Sequence, residues 1–332
     1  MHSIGLDISN KTFTSSCCTY TDALFSYQWT ARDFAQTDAG FLAFIATLQA
    51  HGIDAPRCKI IMEATGIYSE AVSRFLFARG FPVYVEPPLK VKRAFYERGK
   101  SDPVDSRQIA EYGFRYADLL HAWQPREAVI DTLAALLTAR EAVTVYQAGC
   151  KATLRGLAKK PNADTLKTIY EKNIAEQKAR LKEVDALIDA QIATNPSLLQ
   201  KYEQICSVPH AGRLLALNLI LMTNGCTEHV DHRQLAAYIG VCPFEHQSGT
   251  SVYRRPQSDA AGPARMRKLL YLASMRMRAY APDYKAYYLR KTAEGKRGKL
   301  VLNNIANKAL KLICGVIRSG KPYIKTYVSQ KI

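Results

Sequence analysis

Two carboxylates three positions apart, Asp102 and Asp105, lie in the octapeptide Lys100-Ser-Asp-Pro-Val-Asp-Ser-Arg107. A polar approach precedes them, and an apolar helical pattern follows through Ile109, Ala110, Tyr112 and Phe114. The spacing predicts a helix with Asp102 at the N-cap and Pro103 at the first helical position. On that helix an i, i+3 pair shares one face. Two acids that close repel unless a cation lies between them, and hard oxygen ligands suit Mg²⁺ or Mn²⁺. Taken alone, the octapeptide reads more readily as an N-cap and a first-turn acid that favours the helix dipole. Other elements must bring further ligands before it becomes a site.

The first 90 residues supply them. Residues 2–8 read as a short buried strand with Asp7 near its end, and 11–19 and 24–31 as two further strands. Such a meander, opened by a strand carrying an Asp, is how RNase H-like nucleases begin. Residues 38–51 have helical periodicity through Phe41, Leu42, Phe44, Ile45 and Leu48. Lys59-Ile-Ile-Met-Glu63-Ala-Thr-Gly66 is a strand ending in an acid and a turn. A helix over 67–79 and a strand over 81–86 complete a βββαβαβα order, which predicts an α/β domain with a mixed sheet. Asp7, Glu63, Asp102 and Asp105 thus each adjoin an apolar element that leads to the same edge. Two metal ions there would clamp the attacking and leaving oxygens of a phosphodiester. Taken singly, Asp7 is equally a strand-end cap and Glu63 a surface carboxylate.

Charge points to the partner. The 332 residues carry 46 Lys and Arg against 29 Asp and Glu, a net charge of +17 that favours a polyanion. Residues 87–101 hold Lys90, Lys92, Arg93, Arg98 and Lys100 with Phe95 and Tyr96 interleaved, as a phosphate-lined approach to the acids would; a solvated linker has the same composition. No apolar run long enough to span a bilayer and no N-terminal signal pattern is evident, so a cytoplasmic, nucleoid-associated protein is expected. The eight cysteines form no C-x-x-C pair and read as small apolar core residues. Cys226, His229 and His232 have ligand-like spacing but lack an evident fourth ligand.

After His121-Ala-Trp-Gln-Pro125 the pattern changes. Residues 126–158 repeat apolar positions every seven through Leu136, Val143, Cys150 and Leu157, and 165–193 do so through Ile174, Leu181, Val184 and Ile188. Gln177 and Gln191 interrupt the second seam. This predicts an antiparallel hairpin or a coiled coil with a partner subunit. Val208-Pro-His-Ala-Gly212 resembles the turn of helix-hairpin-helix modules, with His210 in place of a glycine, and a helix follows through Leu215, Leu219 and Leu221. Residues 232–240 read as a short helix ending at Gly240.

A second chemical stretch runs from Val241 to Arg255 and contains Gln247-Ser-Gly-Thr-Ser-Val252. From Arg254 to Lys299 there are 13 Lys or Arg against three acids, with five tyrosines interleaved, which favours a nucleic-acid surface over a merely solvated one. The expected contacts are Lys92, Arg93, Lys100, Arg254, Arg255, Arg265, Arg267, Lys268, Lys296, Arg297 and Lys299. Ser248 precedes a glycine on a tight turn. Its commoner role would be an ST-turn; as a nucleophile it needs a base or electrostatic activation, which arginines would reinforce at the transition state. Thr250 and Ser251 are lesser alternatives.

Ile4-Gly-Leu-Asp7-Ile-Ser-x-Lys11, Glu63-Ala-Thr-Gly66, Ser101-Asp-Pro-Val-Asp105, Gln247-Ser-Gly-Thr-Ser-Val252, Arg265-Met-Arg-Lys-Leu-Leu-Tyr271 and Gly295-Lys-Arg-Gly-Lys299 stand in the order and approximate spacing of the IS110/IS1111-family transposases. The chain also resembles the related Piv-type DNA invertases. The resemblance implies a RuvC-like DEDD domain at 1–122, a coiled-coil arm at 123–198 and a mainly α-helical transposase domain at 199–332. It implies Mg²⁺ on Asp7, Glu63, Asp102 and Asp105, and Ser248 as the serine that becomes joined to DNA. It further implies donor and target DNA, a structured noncoding guide RNA, and a homodimer that assembles to a homotetramer with the acids of one subunit meeting the serine of another. A guide-free invertase and a RuvC-like nuclease using water are the alternatives, and a non-catalytic nucleic-acid scaffold a third. The chain departs from the family pattern at His210 and at Ala260, where a Lys often stands two residues before the glycine that Gly262 matches.

Overall fold

The structure is a computed structural model that describes residues 1–95, 102–227, 231–248, 252–258 and 262–324; at 102–104, 243–248 and 252–258 it describes the backbone alone. The chain divides into two compact units, Met1–Pro125 and Arg126–Ile332.

The first unit is built on strands β1 (His2–Ile8), β2 (Thr12–Thr21) and β3 (Leu24–Ala35), helix α1 (Asp38–Ala50), β4 (Cys58–Glu63), α2 (Ile67–Phe77), β5 (Val83–Glu86), α3 (Pro88–Arg93) and α4 (Asp102–Arg115). The strand order β3-β2-β1-β4-β5 puts β1 at the centre. It pairs antiparallel with β2 and parallel with β4. The element order is the one the alternation of apolar residues predicts, with α3 added where the sequence suggested only a basic approach.

Side chains alternate across a strand, and that decides which layer each meets. Ile4, Leu6 and Ile8 join Phe13, Ile60, Met62 and Val83 in the core beneath α1 and α2. Thr37 caps α1 by accepting from the Gly40 amide, and Phe41, Phe44, Ile45 and Leu48 form its buried stripe. Each such side chain contributes about 1.5–3 kcal/mol on burial. The opposite face of the sheet carries a smaller cluster of Ile61, Val91, Ile109 and Tyr112, and it is α4 that covers it.

The second unit opens with α5 (Ala128–Leu157) and α6 (Asp164–Ala193), a helical hairpin pinned by Arg140 on Asp185 at 2.8 Å. Its buried seam includes Leu133, Leu137, Gln147, Cys150 and Leu157 on α5, with Gln177, Ile188 and Ile192 on α6. The seam therefore runs through Leu137 rather than the half-buried Leu136 of the seven-residue reading. Then follow α7 (Pro196–Ser207), which the sequence reading missed, α8 (Arg213–Met222) and α9 (His232–Ile239). A β-hairpin, β6 (Pro243–Ser248) and β7 (Val252–Ser258), precedes α10 (Ala264–Tyr280), α11 (Pro282–Ala293) and α12 (Gly298–Ser319). His210 holds the left-handed conformation a glycine would favour, at φ 64°, and the turn between α7 and α8 forms all the same.

Among the described residues one helix, α12, is long and apolar enough to cross a membrane, which corrects the expectation that none would be. Its apolar stripe, from Val301 through Ile305, Ala309 and Ile313 to Val316, is buried in the core of its own unit. That burial marks a core helix.

Candidate active site and nucleic-acid interface

Asp7 and Glu63 end adjacent parallel strands. Leu6 is in register with Met62, so the next positions along, Asp7 and Glu63, lie side by side. Both belong to the alternate set, with Ser3, Gly5 and Ile61, and so face the α4 side of the sheet. Each is half-buried.

Helix α4 runs antiparallel to β1. Ser3 Oγ donates to the Ala110 carbonyl at 2.6 Å, while Gly5 lies under Ser106 and Ile109. The helix start therefore lies over the strand end that carries Asp7. A Cβ on Gly5 would come within 2.2 Å of the Ser106 carbonyl oxygen and 2.3 Å of the Ala110 nitrogen, so only glycine permits this approach. Ser16 and Ser106 hydroxyls meet at 2.8 Å and fix the helix rotation one strand over. Asp102 opens α4, and Asp105, half-buried, follows one turn later. The fold thus brings the four acids to one end and one face of the sheet. The Asp102 side chain lies outside the described residues.

Sequence reasoning missed a neighbour of this group. Glu86, 3% exposed, is in register with Glu63 across β4 and β5. Like charges directly opposite are destabilising, and Lys90 relieves this one with Nζ 2.7 Å from the Glu86 carboxylate. Burial alone would lower the Lys90 pKa, but the hydrogen bond to Glu86 and its charge raise it above the ordinary lysine value. The signal was present in sequence as an acid closing an apolar strand with a lysine four residues on. On the other side, Thr14, in register with Asp7, donates to Asp33 at 2.6 Å.

Among the described residues no group of three or more His, Cys, Asp or Glu side chains is close enough to hold a metal ion. The donor chemistry at the sheet end nevertheless fits a divalent cation: carboxylate oxygens from two strands and a helix start, all hard ligands.

Ser248 is the last residue of β6, in register with Val252 across the hairpin. Its side chain, and Gly249, Thr250 and Ser251 entirely, lie outside the described residues, as do Lys100, His229, Asp259 and Ala260. Arg254, in register with His246, and Arg255 lie on β7, with side chains likewise not described. The remaining basic positions divide by partner. Lys92, Arg93, Lys268, Lys296, Arg297 and Lys299 are exposed. Arg265 pairs with Glu141 at 2.9 Å. Arg267 donates to the Ile239 and Gly262 carbonyls, so its head secures the chain end of α9. Gly262 is itself required there, since a Cβ would fall 1.9 Å from the Tyr238 carbonyl oxygen.

A family model of DEDD transposases of the IS110 type, described as a transposase, matches residues 4–159, and one described as transposase IS116/IS110/IS902 family matches 202–289. The chain is 25% identical over 331 residues to a pilin gene-inverting protein of Moraxella lacunata, and 24% identical over 331 residues to that of Moraxella bovis, in each case across 97% of both chains. An uncharacterised 43.6 kDa protein of insertion element IS110 from Streptomyces coelicolor is 24% identical over 161 residues, 48% of this chain and 36% of that one. T. thermophilus RuvC, solved with a Holliday junction substrate, aligns over 37% of this chain and all of its own at 13% identity and a TM-score of 0.29. With one match over the acid-bearing sheet and the other over the helices around the serine hairpin, the chain belongs to the IS116/IS110/IS902 family of transposases, which are DNA recombinases.

Proposed function

We propose that this chain cuts and rejoins DNA through a serine-linked intermediate, guided by a structured RNA. One observation carries the reading: Asp7 and Glu63 share a face and a sheet end, under the start of the helix that bears Asp102 and Asp105. These four would hold Mg²⁺ or Mn²⁺, which supplies charge neutralisation and a lowered hydroxyl pKa at the reacting phosphate.

The remaining chemistry belongs to the chain. Ser248 Oγ attacks the scissile phosphorus, its proton leaving for solvent or a carboxylate. An Oγ–P bond forms as the bond from phosphorus to one deoxyribose oxygen breaks, and that oxygen leaves as a hydroxyl by taking up a proton. A second strand's hydroxyl reverses the step and restores the serine, with no water consumed and no oxidant needed. Exposed Lys92, Arg93, Lys296, Arg297 and Lys299 would bind phosphates along the approach. Val145, Tyr146, Leu166 and Ile169, exposed on the arm, suit self-association into the dimer and tetramer that would bring the acids of one copy to the serine of another.

The full-length match to pilin gene-inverting proteins favours a second reading, a site-specific invertase with the same chemistry and no guide. RNA retained by the protein through a high-salt wash separates the two. The first reading is tested by incubating protein, end RNA and labelled donor DNA with Mg²⁺ and resolving the products on a denaturing gel. A protein-linked DNA band that is lost in Ser248→Ala and with EDTA is expected. Cleavage without an adduct, unchanged in Ser248→Ala, would replace the serine by water.

A further inference from the structure

The second unit contains a cavity of 1270 Å³ between α11, α12 and the segment that follows α12. It exceeds the roughly 300–1,000 Å³ of pockets that take drug-sized molecules. Its wall is built into the fold: Gln204 donates to the Gly320 carbonyl at 2.6 Å, and the Tyr323 amide donates to Ser207 Oγ at 2.8 Å. Arg290, Lys308, Lys311 and Lys321 line it, with Asp283 the one acid among the described lining residues. Lys308 Nζ sits 4.8 Å from the centre of the Tyr287 ring and the Arg290 guanidinium 5.8 Å from it. The four cations are balanced by a single carboxylate, so the cavity is a strongly positive hollow with an aromatic wall.

We propose that this cavity binds unpaired nucleotides of a nucleic-acid strand, with phosphates on Lys308, Lys311 and Lys321 and a base stacked on Tyr287. A positive groove combined with an aromatic face is what single strands require, because every base has a face to stack while duplex bases are already stacked on one another. The inference deepens the nucleic-acid reading given above and rests on it, but needs neither the acids nor Ser248. The shared chemistry is an unpaired base with its phosphate, whether from RNA or DNA.

Gly315 offers a test that leaves charge and fold in place. It lines the cavity within α12, and a Cβ there would meet nothing within 4 Å. Gly315→Leu therefore projects a side chain into the hollow while improving helix propensity. Binding is read by fluorescence anisotropy of the full chain with labelled single-stranded RNA, single-stranded DNA, an abasic oligomer of equal charge, and duplex DNA. Gly315→Leu is expected to weaken binding of base-bearing single strands about tenfold and leave duplex binding unchanged. Tyr287→Leu should lose about tenfold on base-bearing strands and nothing on the abasic oligomer, with Tyr287→Phe restoring it. Lys308→Gln with Lys311→Gln should reduce the salt slope on single strands by about 1.4. Loss confined to one single strand identifies RNA or DNA as the source. Single-strand binding unchanged in both Gly315→Leu and Tyr287→Leu, or equal displacement by poly-glutamate, would overturn the proposal. Recombination assays do not enter, so a failure of the serine mechanism leaves this result standing.

Discussion

The sharpest test of the site's construction is Gly5→Ala. The added methyl would lie 2.2 Å from the Ser106 carbonyl oxygen and 2.3 Å from the Ala110 nitrogen, both backbone atoms that no rotamer change can move. Against an ordinary contact of about 3.5 Å, α4 must retreat by about 1.3 Å at its closest point. Overpacking of this kind costs about 1–3 kcal/mol, read as a lower urea midpoint with an unchanged m-value. The same retreat carries Asp102 and Asp105 away from Asp7 and Glu63. A misplacement of about 1 Å can cost on the order of 100-fold in rate. The assay is the rate of adduct formation at saturating DNA, titrated with Mg²⁺ under conditions where the variant is fully folded. A loss near 100-fold with a raised Mg²⁺ requirement is expected. Gly149→Ala on α5, where a Cβ meets nothing within 4 Å, is the control; it should gain about 0.5–1 kcal/mol and keep full activity. A folded Gly5→Ala variant that forms adduct within threefold of the parent would refute the argument that this approach positions the acids.

Other expectations follow from single contacts. Lys90→Met leaves Glu86 buried without its partner; because the Lys90 side chain is 38% exposed the cost is discounted to about 2 kcal/mol, and adding Glu86→Gln should recover most of it in chemical denaturation. His210→Gly relieves a left-handed backbone at φ 64° and should raise stability by up to about 1 kcal/mol in a melting experiment, any loss showing that the packing of His210 beside Tyr280 outweighs the strain. Burial pushes the Cys58 thiol up to about 12 from 9.0, and burial with the hydrogen bond to Glu111 pushes Tyr27 up to about 12 from 10.0. A raised folded pKa gives stability that is complete below the unfolded value and is lost as pH rises through the folded one, so the urea midpoint should hold to about pH 9 and fall steadily between 9 and 12. With six of the eight thiols buried, only Cys242 and, more slowly because burial raises its pKa, Cys206 should react with a thiol reagent in the native protein.

Much of this was legible in the chain itself. Period-2 alternation places Asp7 with Ser3 and Gly5 and Glu63 with Ile61, and a strand's geometry leaves no other choice of face. Helical periodicity through Phe41, Phe44, Ile45 and Leu48 marks α1 in the same way. The six ordered motifs carried the family, because each depends on local residue types. Other features depend on groups distant in sequence. That α4 lies antiparallel on β1 needs Gly5 and Ser106 to meet across about a hundred residues, and nothing near Asp102 announces it. That Arg267 also donates to the Ile239 and Gly262 carbonyls depends on a chain end 28 residues away, which its place in a basic run does not announce. Lys90 belonged to a basic run until the register of β4 and β5 set Glu63 against Glu86 and required a cation there. The type of each element, and the face each residue takes on it, follow from short-range sterics and polarity that the sequence by itself determines. Which carboxylates share a sheet end, and which of them meets a lysine, is a matter of long-range register and close approach, and only the tertiary structure decided it.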